Sequence, residues 1–343
     1  RQGDRVQLAS RADHEGSARR RCAQAPHASD HRRNRRPGLQ ENLPALTVTA
    51  LRRESFGDFS LLRREPSGAE TVTVHFAHAT GFNAETYAML LDDLDGSIAA
   101  HLMDARGHGR STATADPRKL RSWRPYRDDL EAFIETLPQP VVLGGHSMGA
   151  TVSMELAAAR PDLVRGLVLV DPVIVPPAQI PMLAVARTFG LADRIVPIAQ
   201  MAARRRMEFP SRQAAVENYL GKGPFRTWPR EWIEAYVEGG TIDNDDGTVR
   251  LSCDRAWESK TFAMATVNPY RALRNVRCPI TLFAREHSGP PFTRASRDAF
   301  MRCRPETRLL VLEDVTHFMA MERPDVVVEE LERMAEQVRS ELG

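Results

Sequence analysis

From residue 45 to the C-terminus short apolar runs alternate with helix-like runs, and this alternation limits the possible folds more than any other feature. TVTVHFA (71–77), IAAHLMD (98–104), PVVLGGH (140–146), GLVLVD (166–171), PITLFA (279–284) and TRLLVLE (307–313) are rich in β-branched or apolar residues. Such runs suit strands of a largely parallel sheet covered on both faces. Helical patterns fall between and after them at 84–94, 125–137, 147–160, 291–303 and 324–340. TVTALRRESFGDFSLLRRE (47–65) reads as a hairpin around Gly57-Asp58. Alternation of this kind predicts an α/β doubly wound sheet, with a ligand crevice at the carboxyl ends of its strands.

One interval breaks the rhythm. Between Asp171 and Cys278 no strand of the main sheet is expected. There are helix-like pieces rich in Met, Pro and aromatic residues, and then a polar hairpin signal, TIDNDDGTVRLSC (241–253), turning at Asp246-Gly247. A connection this long is usually a lid or a binding insertion. It starts at a strand's carboxyl end and is therefore expected over the crevice. The predicted organisation is a core of residues 45–171 and 278–343, a mainly helical lid at 172–277, and a head at 1–44 outside the fold.

That head carries the basic charge. Residues 1–45 hold ten Arg against five acids, a net of +5, whereas the whole chain is only +2. With no apolar periodicity, it reads as a disordered tail or a non-native extension rather than a nucleic-acid arm. No run reaches the ~20 apolar residues of a membrane helix. The four cysteines (Cys22, Cys253, Cys278, Cys303) include no CxxC pair, which predicts reduced thiols in a cytoplasmic protein. Neither a metal-ligand spacing nor a Gly-rich phosphate loop is present, so no metal, cofactor or nucleic acid is expected. The sequence leaves the oligomeric state open.

The chemistry is concentrated in PVVLGGHSMGA (140–150). Gly145-His146-Ser147-Met148-Gly149 is a G-x-S-x-G between a predicted strand and a predicted helix. A serine on so sharp a turn needs small residues two before and two after it, and glycine stands at both positions. The helix that follows aims its free N–H groups at the turn, where a developing oxyanion is stabilised.

Three further segments, with this one, resemble the α/β-hydrolase superfamily over about residues 45–340. His78-Ala79-Thr80-Gly81-Phe82 looks like its oxyanion segment, with Ala79 in place of the usual glycine. Asp104-Ala105-Arg106-Gly107-His108-Gly109-Arg110-Ser111 looks like its D-x-R-G-H-G-x-S loop, and LEDVTHFMAMERPDVV (312–327) like its late histidine segment. The resemblance implies an eight-stranded, mostly parallel sheet with a lid. It also implies Ser147 as nucleophile, His317 as general base, and an oxyanion hole from the backbone N–H groups of Met148 and Thr80. His146 and His78 are expected to pack and hydrogen-bond rather than react, and the 104–111 loop to be a braced turn. Met182, Met201, Met207, Met264, Trp228 and Trp257 are read either as a pocket lining or as the insertion's own core.

The triad acid stays open. In most relatives it follows the strand after the lid, but there the chain reads Arg285-Glu286-His287-Ser288, with Ser288 at the aspartate's place. Asp171, at the end of the strand before the lid, is the leading candidate; Glu286 is the alternate and Asp314 a more remote one. The implied activity is cofactor-free hydrolysis of a small acyl substrate (an ester, lactone or thioester) through an acyl-enzyme. A carbon–carbon bond hydrolase and a non-turnover ligand-binding protein are the alternatives.

Overall fold

The computed structural model describes residues 51–67 and 72–341. The head at 1–44, Cys22 and the first residues of the 47–65 and 71–77 runs lie outside the described residues. Eight strands form one sheet: β1 (Arg52–Phe56), β2 (Phe59–Arg64), β3 (Thr73–Ala77), β4 (Ala99–Met103), β5 (Val141–His146), β6 (Val164–Val170), and, after the insertion, β10 (Ile280–Arg285) and β11 (Arg308–Leu312). Their order is β1-β2-β4-β3-β5-β6-β10-β11. The pairs β1–β2 and β2–β4 are antiparallel and the other five parallel.

The central strands bury both faces with a period of two. Val142, Val168, Val170 and Phe283 join a core with the helix Pro324–Ser340, through Val327, Leu331, Met334 and Val338. Leu143, Leu167, Leu169 and Leu282 face the other way, against the helices Arg124–Ile134, Met148–Ala159 and Arg294–Cys303. Each fully buried Leu, Val or Met contributes roughly 1.5–3 kcal/mol, so the sheet is held from both sides. The expected helix over 84–94 instead starts as a 3-10 turn (Glu85–Tyr87) and runs on as the short helix Ala88–Asp92.

This strand order decides where loops meet. β4 and β5 flank β3 on opposite sides, so the chain reverses direction across the sheet there, and the segments leaving β3 and β5 adjoin. Between β6 and β10 the chain runs through helices and a small antiparallel sheet of β7 (Glu208–Phe209), β8 (Thr241–Asp243) and β9 (Val249–Leu251), ordered β7-β9-β8. β8 and β9 are the hairpin read from TIDNDDGTVRLSC. β7 was not expected, because two residues carry no periodicity.

Candidate active site

Every chemically notable segment leaves the carboxyl end of a strand. β5 delivers Ser147, whose backbone sits at φ 56°, ψ −112°, a conformation that costs a non-glycine residue on the order of 1–3 kcal/mol. Neighbouring glycines make the turn possible. A Cβ on Gly145 would lie 2.6 Å from the Ala150 nitrogen, and one on Gly149 would lie 2.1 Å from the Ala77 carbonyl oxygen. Backbone surrounds both positions and has nowhere to move. Gly149→Ala is therefore expected to cost about 3 kcal/mol or more. A urea unfolding midpoint equal to that of the natural chain would refute this account of the turn.

The Ser147 hydroxyl lies 3.1 Å from Nε2 of His317, and Nδ1 of His317 lies 2.6 Å from Oδ2 of Asp171. Three separate elements bring these groups together. His317 follows β11 by five residues, and Asp171 directly follows β6. Asp171 is fully buried at φ 40°, with its N–H bonded to the Phe283 carbonyl of β10. Ser147 is only 6% exposed.

Asp171 has a cationic neighbour besides His317's imidazole, one that the sequence did not reveal. Arg285, the last residue of β10, donates from Nε to the same Oδ2 at 2.9 Å, and from Nη2 to the Gly289 carbonyl at 2.6 Å. An isolated buried carboxylate is strongly disfavoured, so the guanidinium compensates the charge that His317 alone would leave exposed to a dry interior. Arg285 stands in the quoted turn. Only the pairing of β10 beside β6, Phe283 against Val170, shows what it reaches.

The other carboxylates do not meet His317. Glu286 turns outward with its side chain half exposed, and its carboxylate lies 3.3 Å from Nδ1 of the still more exposed His287. Ser288 donates its hydroxyl to the Arg285 carbonyl at 2.8 Å. Asp314 is exposed in a turn at φ 53°.

A buried relay supports the site from below. The Ala79 N–H donates to the Tyr87 hydroxyl at 3.3 Å, that hydroxyl donates to Nδ1 of His146 at 2.7 Å, and Nε2–H of His146 donates to the His317 carbonyl at 2.8 Å. Because a carbonyl only accepts, the proton of His146 is on Nε2 and Nδ1 is free for tyrosine. Burial, with the nearby His317 adding to it, pushes the His146 pKa well below its usual value, which keeps it neutral. Tyr87 carried no motif and was not foreseen. His78 ties two loops: its Nε2 accepts the Ala105 N–H at 2.9 Å and its Nδ1 donates to the Ala79 carbonyl at 2.8 Å.

Thr80 and Met148 adjoin, with the Thr80 hydroxyl 3.3 Å from the Met148 sulfur. Met148 is the first residue of its helix, so its N–H has no i−4 acceptor within the helix. In the 104–111 loop Asp104 accepts the N–H groups of Ala84 and Arg110 at 2.7 and 2.9 Å, while Arg106 pairs with Asp129. Anion binding by that arginine is therefore not indicated.

The insertion approaches from above. Trp228 packs on Phe82 and on Phe318, each with ring centroids 5.5 Å apart, and so borders both the 78–82 loop and His317. A Cβ on Gly81 would lie 2.2 Å from Oε1 of Glu258, which is paired with Arg205 at 3.0 Å. Trp257 donates to the Arg106 carbonyl at 3.1 Å, and Met264 is buried in the core on that side. Met207 is partly buried. Met182 and Met201 are 58% and 71% exposed and lie outside the buried core clusters of the described residues.

Known proteins share this chain's family and fold. Residues 76–330 match the alpha/beta hydrolase family. The chain is 26% identical over 278 residues, 81% of its length and 92% of the relative's, to the 2-(acetamidomethylene)succinate hydrolase of Mesorhizobium japonicum. A shorter match, 38% over 124 residues (34% of this chain and 42% of the relative), is to lipase LipV of Mycobacterium tuberculosis. Among solved structures, E-2-(acetamidomethylene)succinate hydrolase superposes with a TM-score of 0.65 at 24% identity, covering 83% of this chain and 98% of that one, a likeness of fold.

Proposed function

The chain belongs to the alpha/beta hydrolase family and is a hydrolase; on that premise we propose that it cleaves a carboxylic ester, lactone or thioester through an acyl-enzyme on Ser147. The observation that carries this is the unbroken line from the Ser147 hydroxyl through His317 to Asp171, at 3.1 and 2.6 Å. His317 takes the serine proton as Oγ attacks the carbonyl carbon, then passes it to the leaving group. A water repeats the sequence in reverse to free the acid. Asp171 holds the imidazole tautomer and stabilises the imidazolium. The backbone N–H groups of Met148 and Thr80 receive the oxyanion, each such donor being worth about 2.7–4 kcal/mol in the transition state. Residues 172–277 act as the lid, which moves to admit substrate to the nearly enclosed Ser147.

A relative matched over most of its length is named as a hydrolase of an acetamidomethylene succinate. That favours, as a second reading, a small polar substrate cleaved at a bond other than an ester by the same residues. A fluorophosphonate probe tests the shared chemistry, with the adduct expected on Ser147. A panel of 4-nitrophenyl esters, lactones, thioesters, enamide dicarboxylates and vinylogous diketones then separates the substrate classes.

The choice of acid has its own test. Asp171→Asn is expected to lower kcat by about 10⁴-fold, as loss of the orienting carboxylate does in serine triads. Glu286→Gln, on a half-exposed side chain, is expected to stay close to the natural rate. The opposite pattern would move the role to Glu286.

A further inference from the structure

A cavity of about 400 Å³ opens between the helices Arg124–Ile134, Met148–Ala159, Ile180–Thr188 and Pro269–Leu273. Its size is that of small-ligand sites. It is separate from the serine: it meets the helix Met148–Ala159 from Glu155 onward, about 12 Å along the axis from Ser147.

Four arginines from three helices line it: Arg124, Arg127, Arg187 and Arg271. The first two share the surface carboxylate of Asp128, at 3.5 and 2.5 Å. Arg271 is exposed and makes no ion pair among the described residues. Arg187 differs from all of these. It is half-buried, its Nε is enclosed without an acceptor, and its guanidinium has neither a hydrogen bond nor an ion pair among the described residues. Burial lowers its pKa to about 10, with no carboxylate opposing that shift. Glu155, the acid in the wall, accepts the Thr266 hydroxyl at 2.6 Å; burial raises its pKa, and that hydrogen bond and the nearby Arg127 oppose the shift.

A desolvated cation without a counter-charge is unfavourable in any protein interior. Here the half-buried Arg187, its Nε enclosed without an acceptor among the described residues, borders a cavity of ligand size that Arg124, Arg127, Arg271, Asn268 and Glu155 also line. We infer that this cavity binds a phosphoryl oxyanion, free or carried on a small organic molecule, with Arg187 as its anchor and Arg124, Arg127 and Arg271 around it. Guanidinium groups arriving from separate helices suit a multiply charged tetrahedral anion better than a planar carboxylate, which one fork satisfies.

The site is independent of the hydrolytic reading, and its test measures binding to the full chain. Isothermal calorimetry and thermal melts are run with inorganic phosphate, adenosine 5′-monophosphate and malate. The natural chain is expected to bind one or both phosphates and to gain Tm with them. Tighter binding of the nucleotide assigns a carried phosphoryl group, and equal affinity assigns free phosphate. Arg187→Met removes an unpaired cation, so without ligand its Tm should equal or exceed that of the natural chain, while phosphate affinity falls at least about tenfold. Arg271→Met, at an exposed position, keeps Tm and weakens binding severalfold. The inference is overturned if neither phosphate binds, if both arginine variants bind as the natural chain does, or if malate binds more tightly than either phosphate.

Discussion

Ser147→Ala is expected to lower kcat on the best substrate of the panel by about 10⁵- to 10⁶-fold while leaving KM within a few-fold. The variant keeps the oxyanion donors and the binding surface, so a residue of catalysis over water persists; serine triads stripped of their nucleophile behave this way. Stability should rise slightly or stay the same, because alanine retains the strained φ and loses only a hydroxyl. Fluorophosphonate labelling should disappear together with turnover. If the purified variant retained even a tenth of the natural rate, Ser147 would not be the nucleophile. Labelling elsewhere on the chain would then identify the group that is.

The second large effect is on stability against acid. His75, His101 and His108 are buried, and burial is the first cause lowering their pKa values to about 3, 4 and 3. The structure shows why they stay neutral. Both ring nitrogens of His75, Nδ1 of His101 and Nε2 of His108 are enclosed without a partner among the described residues, and the rings of His75 and His101 pack against Phe133 at 5.8 and 5.9 Å. An unfolded chain binds protons on these groups below about pH 6.5, whereas the folded chain does so only near pH 3–4. Stability is therefore fully present above pH 6.5 and lost as the pH falls from there toward 3. Each group removes about 1.4 kcal/mol per pH unit. For three groups the loss at pH 5 is on the order of 6 kcal/mol, comparable to the whole stability of an ordinary domain. Urea unfolding at pH 7, 6 and 5 measures it directly. His75→Leu should flatten the slope by about one proton, and a midpoint that barely moved between pH 7 and 5 would contradict the account.

The parts of this protein that were legible in the sequence are those determined by neighbours in the chain. Strands β3, β4, β5, β6, β10 and β11 each start or end within a few residues of the apolar run that announced them, because a two-sided buried strand needs an unbroken apolar stretch. Gly145 and Gly149 mark the turn at Ser147 because any side chain there would collide with backbone only a few residues away or on the adjoining strand. Where local signals were weak, the reading was coarse. β7 has two residues and no pattern, and the 84–94 segment begins as a 3-10 turn inside an otherwise helical composition. The methionines of the insertion illustrate the same limit: Met182 and Met264 look alike in sequence, yet one faces solvent and the other the core.

The sequence ranked Asp171 ahead of Glu286, but the contact with His317 itself is visible only in the tertiary structure. Asp171 and Glu286 lie at the ends of adjacent strands, and both looked admissible as long as the chain was read as a line. Pairing of Phe283 with Val170 turns Arg285 toward Asp171 and leaves Glu286 facing solvent, so one acid is buried between a guanidinium and an imidazole and the other is exposed. The relay from Ala79 through Tyr87 and His146 to His317, and the cation of Arg187 at the edge of its cavity, have the same origin. By itself the sequence determined the alternation of strands and helices, the serine turn and the late histidine, all of which are encoded within about ten residues. Only the fold decided which charges are desolvated and which are paired, because burial and long-range register are properties of strands and helices brought side by side.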